Sequence, residues 1–244
     1  MTETVLLIED RDAVRILSMN RPLKLNALNS ELIQALHRAL EAAEADNTVR
    51  ALVLRGVGRA FCAGADTSEF DKPAKHLPAA ASRGRFAART LILLQALSKP
   101  IVSVVQGVAL GAGSALAIGC DMMVAVNDLS LGYPEIKTAR VPAIVMPSLQ
   151  RQVGRKLAFE MISMGRLLSA SEAREHGLAN RVVAPDEALD EGLRIASDWA
   201  HLDPTALAAT KSLFYRVADL PFDEATRAAS DVSTIVRSMR ATNF

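Results

Sequence analysis

Short apolar segments separated by polar turns dominate the first three quarters of the chain. Val5–Ile8 and Ala13–Met19 predict two strands of a hairpin, because the polar segment Glu9–Asp12 lies between them. Further short apolar-rich runs have the length of strands and are bounded by turn residues. They are Val49–Leu54, Ile101–Val105, Asp121–Val126, Leu129–Gly132 and Arg181–Val183.

Helical periodicity appears between these strands and becomes continuous near the C-terminus. Ser30 is predicted to cap a helix that runs to about Ala45, and Lys99-Pro100 is predicted to end a helix over Ala79–Leu97. The later predicted helices are Pro147–Val153, Arg155–Met164, Ser171–His176, Asp186–Ala200, Pro204–Tyr215 and Phe222–Met239. We therefore predict an α/β fold with a β/α-alternating part over residues 1–185 and a helical region over residues 186–244.

Composition excludes several classes of function. The chain has 244 residues, of which 50% are apolar and 4% aromatic, and its net charge is +1. The basic residues form no long run, so we expect no nucleic acid partner. No apolar stretch is long enough to span a bilayer, and the acidic N-terminal segment has no signal-peptide character, so we expect a cytoplasmic protein without a membrane partner.

The cysteine and histidine positions argue against a metal site. Cys62 and Cys120 lie far apart in sequence, and we expect both to be buried thiols in a reducing compartment. The four histidines show no metal-ligand spacing to each other or to a cysteine. They are His37, His76, His176 and His201.

Two glycine-containing loops carry the candidate chemistry. Gly58–Asp66 follows a predicted strand, and Gly107–Ala115 joins a strand to a helix. Small residues let backbone N–H groups approach a ligand closely, and a helix N-terminus favours negative charge. Such donors suit the enolate that forms when a proton is removed α to a thioester carbonyl. Taken alone, each loop is better explained by tight packing, and GxxxGxG is not a dinucleotide-binding fingerprint.

The order of the motifs points to a family. The chain contains RPLKLNAL from Arg21, GRAFCAGAD from Gly58, KPIVSVVQGVALGAGSALAIGCD from Lys99 and YPEIK from Tyr133, and then VGRKLAFEMISMGRLLSASEAREHGLANRVV. In this order and spacing the motifs resemble the enoyl-CoA hydratase/isomerase (crotonase) superfamily. The likeness covers essentially the whole chain to about residue 185.

The resemblance implies a ββα spiral core whose C-terminal helices assemble homotrimers, often paired into hexamers. It implies an acyl-CoA substrate and no cofactor, since coenzyme A is part of the substrate. It also implies two oxyanion donors, the N–H groups of Ala65 and Ala112. An alanine at the second position departs from the family's triple-glycine run, but it keeps the N–H.

The resemblance further implies a binding site for the coenzyme A thioester. The residues that would line it are Lys24, Ala63, Ala65, Asp66, Thr67, Ser68, Gly111, Ala112, Pro142 and Ala143. Two alternatives remain open: Lys24 is also compatible with a solvated surface lysine, and Asp66 with a role in ordering its own loop. Lys211 could reach a neighbouring subunit's phosphates, but a solvated surface lysine is the favoured interpretation.

The acid/base pattern departs from that of a family hydratase. Hydratases resemble one another in two glutamates, and this chain keeps the one at Glu135 but has Ala115 at the other position. A single carboxylate suits a 1,3-proton shift, so we lean towards double-bond isomerisation. Hydration of a 2-enoyl-CoA and silent acyl-CoA binding stay as alternatives. A turn carboxylate is the structural alternative for Glu135.

Two further positions lead to structural expectations. The apolar run Val141–Pro147 stands where hydratases tend to have glycines, which predicts a drier and more restricted acyl pocket. Asp121 at the start of a strand is expected to be structural. We see no nucleophile placed for dehalogenation or thioester hydrolysis.

Overall fold

The computed structural model describes residues 4–69 and 77–241. For residues 77–83 and 239–241 it describes the backbone only. Its strands are β1 (Leu6–Arg11), β2 (Val14–Met19), β3 (Ala51–Gly56), β4 (Ile101–Val105), β5 (Val108–Leu110), β6 (Met122–Val126), β7 (Ser130–Gly132), β8 (Leu167–Ser169) and β9 (Arg181–Val183). Its helices are α1 (Ser30–Ala45), α2 (Leu77–Ala96), α3 (Ala112–Gly119), α4 (Met146–Met164), α5 (Ala170–Glu175), α6 (Ala188–Ala200), α7 (Pro204–Val217) and α8 (Phe222–Ala241).

The strands form two sheets. The larger has the order β1-β2-β3-β4-β6-β9, in which only the β1–β2 hairpin is antiparallel. The smaller has the order β5-β7-β8, with β5 and β7 parallel and β7 and β8 antiparallel. The predicted α/β class and the hairpin are therefore confirmed, and parallel strands covered by helices explain the apolar strand sequences.

Helices cover both faces of the larger sheet. Residues from α1, α2 and α3 pack in one cluster with alternate residues of the strands. On the other face, Ile195 and Ala196 of α6 pack against Val53, Val104 and Val124. The predicted C-terminal region thus begins with a helix that belongs to the core of the sheet, and α7 and α8 pack on each other beyond it.

Local predictions need correction at two points. The cap of α1 is Asn29, whose side chain accepts a hydrogen bond from the Leu32 N–H at 2.9 Å, and Ser30 is the first helical residue. The two helices predicted over residues 147–164 are confirmed, since the non-helical residue Gly154, with a φ of +75°, divides α4 into two helical segments. Strands β5 and β8 were not predicted, because Val108–Leu110 lies within a glycine-containing loop and Leu167–Ser169 has only two apolar residues.

Both cysteines are free and buried. Burial raises the pKa of the Cys62 thiol to about 12, so it remains protonated at neutral pH. Within the described residues no helix is long and apolar enough to cross a membrane. No cluster of His, Cys, Asp and Glu side chains in that part of the chain has the arrangement of a metal site, and His76 lies outside it.

Candidate active site

The two glycine loops lie edge to edge. The Cys62 N–H donates to the carbonyl oxygen of Val108 at 3.1 Å, and the Leu110 N–H donates back to the Cys62 carbonyl at 2.9 Å. A Cβ added at Gly113, in the first turn of α3, would lie 2.8 Å from the Cys62 Sγ. The first loop therefore packs directly against the start of α3, at a distance that only glycine permits.

Gly64 brings the first loop close to the predicted second donor. Its φ is +95°, in the region that favours glycine, and an added Cβ would lie 2.7 Å from the Leu110 carbonyl oxygen. The same Cβ would lie 3.8 Å from the backbone nitrogen of Ala112. Ala65, which follows Gly64 in the chain, is thereby held beside the first residue of α3.

The N–H group of Ala65 points away from its neighbouring backbone. Leu28 pairs with Ala65 in a parallel bridge, in which the Leu28 N–H donates to Gly64 at 2.7 Å and the Asp66 N–H donates to Leu28 at 2.9 Å. In this pattern the central residue directs its own N–H to the opposite side. Among the described residues no acceptor receives the Ala65 N–H.

The N–H group of Ala112 is exposed to a ligand for a different reason. Ala112 is the first residue of α3, and the first N–H groups of a helix have no partner within the helix. Gly111 before it has a φ of +53° and donates its N–H to Gly132 at 2.8 Å. No acceptor in the described part of the chain receives the Ala112 N–H, and the helix dipole adds positive potential there.

Glu135 lies against the same turn. It belongs to a short 3₁₀ turn, Pro134–Thr138, that follows β7, and β7 pairs with β5 in a register that aligns Gly132 with Leu110. A Cβ added at Gly111 would collide with Oε1 of Glu135 and lie 3.2 Å from its Cδ. The carboxyl group therefore rests on the Cα of Gly111, one residue before Ala112.

The environment of Glu135 favours its protonated form more than water does. Burial raises the pKa of its carboxyl above the usual value, against the opposing effects of its own backbone N–H and of Arg140. Its Oε2 is buried and has no hydrogen-bond partner among the described residues. A carboxyl group in this state is suited to take up and return a proton.

Ala115 is buried in α3, and its N–H donates to the Gly111 carbonyl at 3.0 Å. Its methyl group offers neither a donor nor an acceptor at the position of the missing glutamate. Of the two glutamate positions, only Glu135 therefore places a carboxylate beside the second loop.

The predicted coenzyme A residues lie around the first loop and the turn before α1. Lys24 is exposed at the end of the 3₁₀ turn Pro22–Lys24, and no ion pair of Lys24 occurs in the described part of the structure. Thr67 and Ser68 are also exposed, in the 3₁₀ turn Thr67–Glu69, whereas Ala63 is half-buried. All four are accessible to a ligand.

The Asp66 carboxylate is used inside its own loop. It accepts hydrogen bonds from the Ser68 hydroxyl at 2.7 Å and from Arg21 at 2.9 Å. Desolvation raises the pKa of Asp66, but the hydrogen bonds from Ser68 and Arg21 together lower it by more. The net shift of the Asp66 pKa is therefore downward. Asp66 therefore orders the loop that carries Ala65.

The loop after Glu135 presents apolar side chains at the surface of the chain. Pro142 is buried, but Ala143 is exposed, and Val141 is 71% and Ile144 45% exposed. Gly84 of α2 faces this loop, since a Cβ there would lie 4.0 Å from Ile144 Cδ1. The predicted restricted pocket stays a prediction.

Lys211 is neither a surface lysine nor free to reach a neighbouring subunit's phosphates. Lys211 is 6% exposed, and its Nζ lies 2.7 Å from Asp121 Oδ2 and donates to the carbonyl oxygens of Leu94 and Lys99 at 3.0 Å. Every direction open to the ammonium group is occupied by its own chain. Lys211 therefore fastens α7 to the sheet.

The structural role expected for Asp121 is confirmed. Besides Lys211, its carboxylate accepts hydrogen bonds from the Ile101 N–H at 2.7 Å and from the Tyr215 hydroxyl at 2.8 Å. These contacts join the start of β4 to α7 and lie away from both loops.

Two residues near the site were not singled out by sequence reasoning. Arg21 donates to Asp66 and to the carbonyl oxygen of Ala27, and so ties the turn before α1 to the first donor loop. Tyr133 stands in the YPEIK motif without a predicted role, yet its side chain is fully buried and lies near Glu135. A buried tyrosine needs a partner for its hydroxyl, and this requirement was the available signal.

Comparison with known proteins agrees with the geometry. The family model described as enoyl-CoA hydratase/isomerase matches residues 9–239. The 2,3-dehydroadipyl-CoA hydratase of Escherichia coli strain K12 is 37% identical over 207 residues, which cover 84% of this chain and 80% of that protein.

Solved structures give the same result. An enoyl-CoA hydratase of Mycobacterium smegmatis superposes with a TM-score of 0.91 at 34% identity, covering 96% of this chain and 91% of that one. An enoyl-CoA hydratase of Polaromonas sp. JS666 superposes with a TM-score of 0.90 at 28% identity, covering 98% and 93%. The chain therefore belongs to the enoyl-CoA hydratase/isomerase family, the crotonase superfamily, and is an enzyme of that family.

Proposed function

We propose that this enzyme forms the enolate of an acyl-CoA thioester and holds the enolate oxygen with the N–H groups of Ala65 and Ala112. Two preorganised donors stabilise the charge that develops on the thioester oxygen, and one such donor is worth about 2.7–4 kcal/mol. The observation that carries the proposal is the contact between the Glu135 carboxyl and Gly111, next to an unpartnered N–H group at a helix N-terminus.

Glu135 is the acid/base in this proposal. It removes a proton from the α-carbon of the thioester, or delivers one there, while the two N–H groups hold the oxygen. Its raised pKa brings the carboxyl closer to the pKa at which general acid–base catalysis is efficient near neutral pH. The reaction moves protons only, so the proposal includes no cofactor beyond the coenzyme A of the substrate.

The coenzyme A part of the substrate is proposed to follow the edge of the first loop. Ala63, Thr67 and Ser68 offer accessible backbone and hydroxyl groups to the pantetheine chain, and the exposed Lys24 offers a cation to the phosphates. Gly111, Pro142 and Ala143 would border the acyl end, which approaches the Glu135 carboxyl.

Double-bond isomerisation is the reaction that the single carboxylate favours. One base above an enolate can remove a proton from one end of the allyl system and return it to the other end. Because Ala115 replaces the other glutamate of the two-glutamate pattern, α3 provides no second carboxylate. The site therefore lacks the second group that would hold and activate a water molecule.

Hydration of a 2-enoyl-CoA is the second candidate, and the names of the relatives favour it. The Escherichia coli relative is named a 2,3-dehydroadipyl-CoA hydratase, and the two solved structures are enoyl-CoA hydratases. In this reaction Glu135 would deliver the proton to the α-carbon, and the water would need other partners.

A panel of 2-enoyl-CoA and 3-enoyl-CoA thioesters tests both candidates. Mass spectrometry detects the gain of one water molecule, and enone absorbance detects migration of the double bond. Glu135→Gln is expected to lower kcat by roughly 10²–10⁴-fold. Glu41→Gln, at a 60% exposed side chain on α1, is the matched control and should keep wild-type activity. Acyl-CoA binding without turnover of any panel member would contradict the proposed reactions.

A further inference from the structure

Three buried oxygens near the proposed acid/base have no hydrogen-bond partner among the described residues. They are Oγ of Ser114, Oη of Tyr133 and Oε2 of Glu135. Leaving a buried polar atom unpaired costs about 1–3 kcal/mol, so native proteins almost always supply a partner. In the described part of the chain, these three atoms are the buried side-chain oxygens without a hydrogen-bond partner. One partner shared by all three would explain why they lie in the same region.

The backbone brings the three residues to one place. Gly132 accepts the Gly111 N–H at 2.8 Å, so the strand end that leads to Tyr133 and Glu135 is bonded to the start of α3. Ser114 lies in the first turn of the same helix, and the side chains of Ser114 and Tyr133 are completely buried. The substrate therefore has no access to the two hydroxyl groups.

The electrostatics of Tyr133 support this proximity. Burial raises the pKa of the Tyr133 hydroxyl, the hydroxyl of Ser114 lowers it, and the neighbouring Glu135 carboxylate raises it again. The two hydroxyls thus act on each other, although neither reaches full hydrogen-bond geometry with the other.

One water molecule has the donors and acceptors that the three oxygens need. It accepts one hydrogen bond from each hydroxyl and donates one to the carboxylate, which gives it three partners, the usual number for a buried water. Bulk solvent does not reach the two hydroxyl groups, since the side chains of Ser114 and Tyr133 are fully buried.

We propose that Tyr133 and Ser114 are positioning residues for Glu135, joined to its Oε2 through one buried water molecule. The unit fixes the carboxyl against Gly111 and stabilises its ionised form. The kinetic consequence rests on the proposed function of Glu135, whereas the effect on the carboxyl itself does not. Tyr133 stands in the YPEIK motif, but the sequence indicates no role for its hydroxyl. The group of Tyr133, Ser114 and Glu135 forms only when the end of β7 packs against α3.

The pKa of Glu135 is the quantity that reports on this unit. The ionisable groups on the elements around Glu135 are Tyr133, Lys137 and Arg140, and Arg151, Arg155, Lys156 and Glu160 of α4. Helix α3 carries no ionisable side chain. Of the cations, Arg140 acts on the carboxyl and lowers its pKa. A hydrogen bond from the hydroxyl unit lowers the pKa as well, so its removal raises the pKa.

Tyr133→Phe and Ser114→Ala test the proposal. We expect each to raise the pKa of the acidic limb of kcat/KM by about one pH unit and to lower kcat about three- to tenfold. The same rise should appear in a ¹³C NMR titration of the Glu135 carboxyl, assigned by its loss in Glu135→Gln. Tyr215→Phe is the matched control, because the other tyrosine bonds to Asp121 away from the site. It should reduce stability and leave the acidic limb unchanged.

The outcomes separate the two proposals. An unchanged carboxyl pKa in both Tyr133→Phe and Ser114→Ala would overturn the positioning role, and if Tyr133→Phe does not fold, Ser114→Ala decides. A wild type that turns over no enoyl-CoA would overturn the proposed function, while the NMR titration would still decide the positioning role.

Discussion

At the scale of single residues, the contact between Gly111 and Glu135 determines whether the site can form. Gly111 has a φ of +53°, and an added Cβ would overlap the carboxyl oxygen of Glu135. Gly111→Ala is therefore expected to lower the free energy of unfolding by about 2 kcal/mol or more and to reduce kcat strongly. Urea unfolding and the enoyl-CoA assays measure the two effects.

A second glycine provides the control for this substitution. Gly177 has a φ of +76° with nothing near its missing Cβ. Gly177→Ala should cost about 1 kcal/mol through backbone strain alone and leave kcat unchanged. Equal loss of activity in both variants would show that backbone strain, and not the Gly111–Glu135 contact, lowers kcat.

The raised pKa of Glu135 also predicts how stability depends on pH. Because the folded protein holds this proton more tightly than the unfolded chain, the contribution of Glu135 to stability is present at low pH and is lost as pH rises through the raised pKa. Glu135→Gln should therefore have a higher Tm than wild type near pH 7. The difference should vanish below the usual glutamate pKa, and thermal unfolding across this range measures it. A lower Tm near pH 7 would contradict the direction of the shift.

Individual residues differ in how far the sequence could predict them. Ala65, Ala112 and Glu135 were predicted because they stand in ordered motifs that resemble a family. Tyr133 and Ser114 were not, because their importance depends on which buried oxygens lack partners after folding. Lys211 was misassigned because a lysine on a helix gives no sign in the sequence of its burial beside Asp121.

At the scale of elements, the attachment of α7 depends on one buried ion pair. The Lys211 and Asp121 side chains are 5% and 15% exposed. Lys211→Met leaves the Asp121 carboxylate without its cation and should lower the free energy of unfolding by roughly 3–5 kcal/mol. Arg227→Met breaks a pair whose side chains are 78% and 64% exposed, and should cost at most about 0.5 kcal/mol. Comparable losses in urea unfolding would contradict the role of Lys211.

Elements with strong local patterns were predicted well. Ile101–Val105 matches β4, since four β-branched apolar residues around Ser103 follow Pro100 and precede a turn. The division of α4 at Gly154 was also predicted, because glycine readily adopts the positive φ of +75° that interrupts the helix there. The ends of other elements lie within three residues of the predicted ends, and the largest difference is at β1, which runs to Arg11 instead of Ile8.

At the scale of the whole molecule, strand order and helix placement were beyond sequence patterns. Four consecutive pairings in the larger sheet are parallel and join strands that are distant in the chain. Apolar periodicity shows that α6 has a buried face but not which surface covers it. Its packing on the sheet depends on contacts with β3 and β4, far earlier in the chain.

The predicted homotrimer or homohexamer is also a property at this scale. Large apolar side chains are exposed in the second half of the chain, including Phe159, Phe214 and Phe222 at 68%, 67% and 87%. Large exposed apolar side chains are the kind of surface that association between subunits buries. We expect sedimentation equilibrium to give a mass three or six times that of the chain. A monomer at micromolar concentration would contradict this expectation.

The central claim is that backbone N–H groups hold an enolate, and replacing the Ala112 residue by lactic acid tests it most directly. This change exchanges the N–H for an ester oxygen and keeps the side chain. The measurement is the exchange of α-protons of a saturated acyl-CoA with deuterium in D₂O. We predict a loss of roughly 10²–10³-fold in exchange rate, with none for the same replacement at Ala206, whose N–H caps α7 through Asp203. Exchange at the wild-type rate would contradict the claim.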